Sequence, residues 1–109
     1  MQETINPAKL LTQITPILDK LQIPYFITGG FAISVWGRQR ATFDIDIVVQ
    51  MAELKVNKLA EMLKEVSKHG YVDEDTMKEA IRNNGEFNFI DPETGVKADF
   101  WVAKKNATS

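Results

Sequence analysis

The stretch TGGFAISVWGRQRATFDIDIVV runs from Thr28 to Val49, and it decides how the chain folds. A glycine pair opens it, thirteen residues lie between Gly30 and Asp44, and then Asp44 and Asp46 alternate with Ile45 and Ile47. Alternation at period two marks a half-buried β-strand. Residues i and i+2 of a strand share a face, and a rise of about 3.3 Å per residue puts the two aspartate Cα atoms roughly 6–7 Å apart. Either both carboxylates simply face water, opposite an apolar face of Ile45, Ile47 and Val49, or they act together. Acting together, they can hold two divalent ions about 3.5–4 Å apart, the arrangement that clamps the oxygens of a phosphoryl displacement. Like carboxylates packed side by side are costly without a cation. Val48, on the aspartate side, argues against a fully wet face.

Working outward, the run YFIT after Pro24 is short, aromatic and β-branched, and predicts a strand ending at Gly29-Gly30. Phe31, Ala32, Val35 and Trp36 fall at helical spacing and predict a short helix that stops at Gly37. Arg38 to Phe43 reads as a basic loop. A glycine turn between strand and helix supplies backbone freedom and N–H groups at a helix N-terminus, which suit phosphate; a plain tight turn needs the same glycines. Arg40 presents a guanidinium fork fit for phosphate oxygens, or a solvated loop charge. Thr42 either orients a metal ligand or ends the loop.

At the N-terminus, Asn6-Pro7 starts a helix, with Asn as cap and Pro at the first helical position. Leu10, Ile14, Ile17, Leu18 and Leu21 give it one apolar face, and Pro16 is expected to kink or divide it. A second helix is expected over Glu53 to Lys68, with Val56, Leu59, Leu63 and Val66 inward and Gly70 as its C-cap. His69, just before that cap, suits the negative end of the helix dipole. Asp73 or Asp75 caps a further short helix through Ile81, and Asn83-Asn84-Gly85 breaks it. Two strands follow, Glu86 to Ile90 and Val96 to Val102, joined by the turn Asp91–Gly95. The order predicts an α/β (α+β) domain, with helices packed on a mixed sheet of about four strands.

A chain of 109 residues is one small domain. Its net charge of −2 gives no broad attraction to nucleic acid or anionic lipid. With no cysteine and one histidine, any metal must be held by oxygen ligands, which favours Mg²⁺, Mn²⁺ or Ca²⁺. The N-terminus lacks a basic segment followed by an apolar core, and no apolar run reaches the roughly 20 residues of a membrane span. A cytoplasmic location without membrane contact is therefore expected.

The strand VKADFWV supplies a third carboxylate. Asp99 shares a face with Lys97 and Trp101, while Val96, Ala98, Phe100 and Val102 form the apolar side. If this strand lies beside Phe43–Val49, Asp99 can join the aspartate pair; otherwise it is a solvent-facing residue.

Together the glycine pair, the Asp-x-Asp strand and the lone late aspartate resemble the nucleotidyltransferase fold of the DNA polymerase β superfamily. That core would span residues 25 to 102. The run GGFAISVWGRQRATFDIDIVV is especially similar to small bacterial and archaeal nucleotidyltransferase proteins related to abortive-infection toxins. The resemblance implies that Asp44 and Asp46 ligate the metals, Mg²⁺ or Mn²⁺. Asp99 would complete one metal site and help deprotonate the attacking hydroxyl. Gly29 and Gly30 would hold the triphosphate, with Arg40 and Thr42 beside it. Many members of the superfamily have serine where this chain has Gly30, and glycine occurs there in other branches.

The resemblance implies transfer of a nucleoside monophosphate from an NTP to an acceptor hydroxyl. Protein, tRNA and small-molecule acceptors are all compatible with it. The alternative is an antitoxin or regulatory module of the same fold without turnover. Family members often carry a helical domain after this core, so a helical protein partner, a homodimer or a longer parent chain is expected to complete the acceptor side.

Overall fold

The computed structural model describes residues 7–29, 44–67, 69–92 and 96–103. Helix α1 spans Pro7–Lys20. Its inward residues Leu10, Ile14, Ile17 and Leu18 are buried at the spacing the sequence shows. The helix is continuous through Pro16 rather than divided there. Proline removes one backbone bond and crowds the carbonyl four residues earlier. Ile14, Ile17 and Leu18 flank that defect and are all buried, so packing holds both halves to the core.

Strand β1 (Tyr25–Gly29) leads to strand β2 (Asp44–Val49). A single 3₁₀ turn, Glu53–Lys55, then feeds helix α2 (Val56–Val66). The Lys55 ammonium donates to the Leu21 carbonyl and so ties this turn to the end of α1. Helix α2 stops at Ser67, whose backbone is extended, so Gly70 is not its cap and His69 lies beyond the helix end. Gly70 is instead required by a close approach: a Cβ there would stand 2.5 Å from two ring carbons of Phe89.

Helix α3 (Glu74–Asn83) is capped by Asp73, whose carboxylate accepts from the Thr76 backbone N–H at 2.9 Å. Asn84 closes it in the left-handed conformation at φ 54°, a geometry that asparagine tolerates better than most residues. Strands β3 (Glu86–Asp91) and β4 (Val96–Val102) complete the described elements.

The strands form one mixed sheet in the order β1-β2-β4-β3. β1 runs antiparallel to β2, β2 runs parallel to β4, and β4 runs antiparallel to β3. Ile45, Ile47 and Val49 of β2, Ala98, Phe100 and Val102 of β4, and Phe87 and Phe89 of β3 are all buried, which identifies the face that the helices cover. The rings of Phe87 and Phe100 stack across β3 and β4 with centroids 4.8 Å apart. Asp91 is the one described charged residue buried on this side, and Ser67 donates a hydroxyl to it at 2.8 Å. The architecture is the expected α+β arrangement of helices on a four-stranded mixed sheet. No helix among the described residues is long and apolar enough to cross a membrane.

Candidate functional site

The core residues alternate with a second set on the opposite face of the sheet, which no described helix covers. Register fixes how that set lines up. β2 and β4 pair Asp46 with Asp99, and β4 and β3 pair Asp99 with Asn88. One row further along, Phe26, Val48, Trp101 and Glu86 stand in line across all four strands. Neighbouring strands lie about 4.8 Å apart, so side chains paired this way on one face are close neighbours.

Asp46 and Asp99 are therefore brought together by parallel pairing, although 52 residues lie between them in the chain. The Asp99 side chain is 15% exposed. The Asn88 amide donates to Asp99 Oδ1 at 3.0 Å, and the Lys97 ammonium stands 4.0 Å from the same oxygen. Both contacts fall on Oδ1. Asp46 Oδ1 lies 3.5 Å from the Trp101 indole nitrogen, at the outer limit of a hydrogen bond.

The β1 side of the site carries an irregularity. Ile27 pairs with Ile47 and Gly29 pairs with Asp46, so Thr28 is an extra residue, a bulge abutting Asp46. Its hydroxyl reaches the Asp46 carbonyl at 3.4 Å. Bulges bend and twist a strand locally and recur beside functional sites. Gly29 thus lies at the end of β1 in the row of the carboxylates.

Of the other residues expected at this site, Asp44 opens β2 at the register position of Lys97, and its side chain lies outside the described residues. Gly30, Arg40 and Thr42 lie outside them altogether, as do the helix expected over 31–36 and the basic loop after it. Among the described residues, no three His, Cys, Asp or Glu side chains cluster closely enough to hold a metal ion. The described donors are the two carboxylates, and their all-oxygen character suits a hard cation such as Mg²⁺ or Mn²⁺. Asp46 and Asp99, with Lys97 in the neighbouring row 4.0 Å from Asp99, leave this part of the face net negative, which favours a cation electrostatically.

Asn88 was not among the expected site residues, although the sequence carries a signal for it. Asparagine is depleted in strands, yet here it sits between Phe87 and Phe89 on the polar side of an alternating run. Lys97 and Trp101 were legible as sharing the Asp99 face, but not as its neighbours within 4 Å or as partners of Asp46.

The chain matches a family model described as aminoglycoside-2''-adenylyltransferase over residues 10–103. That match supports a nucleotidyltransferase-type family and does not bear on kinship with abortive-infection toxins. No curated protein and no solved structure gives a significant match.

Proposed function

The chain belongs to the aminoglycoside-2''-adenylyltransferase family, whose name denotes nucleotidyl transfer, and on that premise we propose that it moves AMP from ATP to a hydroxyl of an amine-bearing small molecule. The observation that carries this reading is the pairing of Asp46 with Asp99 on the uncovered face of the sheet.

Asp99 Oδ1 is held by Asn88 and Lys97, so Oδ2 is the atom that takes the proton of the acceptor hydroxyl. The acceptor oxygen then bonds to the α-phosphorus, the bond from that phosphorus to the bridging oxygen breaks, and pyrophosphate leaves. Asp44, Asp46 and Asp99 are the residues proposed to hold Mg²⁺ or Mn²⁺. Such a cation, when bound, neutralises charge on the phosphates during the displacement. Gly29, at the end of the carboxylate row, and Gly30 after it are proposed to let the backbone approach the triphosphate. Arg40 and Thr42 are proposed to lie beside it.

The test uses ATP labelled separately at the α- and γ-phosphates, with kanamycin as acceptor and Mg²⁺ present. The proposed chemistry puts α-label on the acceptor and γ-label in pyrophosphate. Transfer of γ-label to the acceptor, or no transfer of either label, contradicts it.

A further inference from the structure

We propose that Phe26, Val48 and Trp101 form a shelf that receives an ammonium-bearing ring of the acceptor. This rests on the proposed function, because it assigns the acceptor side of the same site. The three residues stand in one register row, next to the row of Asp46 and Asp99. Phe26 is 60% exposed and Trp101 is 44% exposed, and they stand on either side of Val48 in the row. A recess of about 300 Å³ opens beside Phe26 and Val48, bounded by Pro24, Tyr25 and Gln50.

The chemistry around the shelf selects a cation. Indole and phenyl faces attract ammonium groups through their quadrupoles, Trp most strongly. Glu86 closes the row beside Trp101, and Asp46 lies 3.5 Å from the indole nitrogen. The described strand residues of this face include a single cation, Lys97, and it is directed at Asp99. A neutral nucleobase would stack on the same rings and can donate N–H bonds to these carboxylates, but it lacks the charge attraction that an ammonium gains. Position also selects the acceptor. Trp101 is two residues beyond Asp99 on the same strand and face, with Cα atoms roughly 6–7 Å apart, so a ring seated on the indole would lie next to Asp99. A hydroxyl on that ring would then face the Asp99 carboxylate.

The experiment reads Trp101 fluorescence in a Trp36→Phe background of the full chain, with kanamycin, raffinose and a non-hydrolysable ATP analogue as separate probes. Kanamycin should change the emission saturably, and uncharged raffinose should not. Phe26→Ala and Glu86→Gln should each weaken the kanamycin response, by about tenfold for the aromatic change, while leaving affinity for the ATP analogue unchanged. Both side chains are exposed, and circular dichroism checks that the variants fold. The proposal is overturned if kanamycin gives no saturable change, if raffinose matches it, or if Phe26→Ala weakens the ATP analogue instead. Because binding is read without turnover, a chain that binds kanamycin at Trp101 but never transfers AMP contradicts the proposed function and leaves the amine site standing.

Discussion

Asp46 and Asp99 occupy paired positions on two parallel strands, on the face that the helices leave uncovered. Like charges directly opposite one another destabilise a sheet. Folding therefore holds an unfavourable pair in place, relieved in part by Lys97 at 4.0 Å from Asp99. The proposed cation site would relieve the remainder.

Mg²⁺ or Mn²⁺ should accordingly bind the folded chain preferentially and raise its melting temperature by mass action. Asp46→Asn should abolish that rise. With chelator present, the same variant should melt no lower than the parent chain, because one of two like charges is gone. A metal-dependent rise that survives in Asp46→Asn places the ligands elsewhere.

Asn88 acts through Asp99, by holding its Oδ1 at 3.0 Å. Asn88→Ala frees the carboxylate to rotate and should lower kcat for AMP transfer by roughly tenfold, with KM for ATP little changed. Asn88→Asp keeps the shape but replaces a donor with a like charge, and should be worse. Steady-state kinetics on both variants decide it: equal losses in kcat and in ATP affinity would mark Asn88 as merely structural.

Gly70 has no room for a side chain, because Phe89 is fully buried and cannot yield freely. Gly70→Ala should destabilise the fold by about 1–3 kcal/mol through overpacking. Denaturant unfolding measures this, and an unchanged midpoint would show that the Phe89 ring relaxes without strain.

The Asp73 carboxyl is held below its ordinary 3.8 by the Thr76 hydroxyl, at 2.7 Å, and by the Thr76 backbone N–H. A carboxyl whose pKa is lowered by folding stabilises the native state above its unfolded value, and that contribution is lost as pH falls through the folded value. Asp73→Ala should thus melt a few degrees lower than the parent at neutral pH. The gap should narrow only below about pH 4. Melting curves across pH check both the size and the window.

Much of this was legible in the chain itself. Ile45, Ile47 and Val49 alternating with aspartates give β2 its buried face, Asp73 before an acidic first turn gives α3 its cap, and Leu10 to Leu18 give α1 its stripe. What pattern alone does not carry is pairing. Whether β4 lies beside β2, and in which register, depends on contacts between distant segments, so the meeting of Asp46 with Asp99 remained conditional in the sequence. Gly70 looked like a helix cap because glycine serves both left-handed caps and close approaches; only the Phe89 ring distinguishes them. Pro16 was expected to kink or divide α1, because local propensity knows nothing of the buried residues around it, and the helix runs through it undivided.

The most direct test of the central claim is kcat for AMP transfer in Asp46→Asn and in Asp99→Asn, each verified as folded. Asparagine preserves shape while removing the charge and the proton acceptor. The paired-carboxylate site predicts that each variant loses about 10²–10⁴-fold. Activity within tenfold of the parent in either folded variant would contradict it.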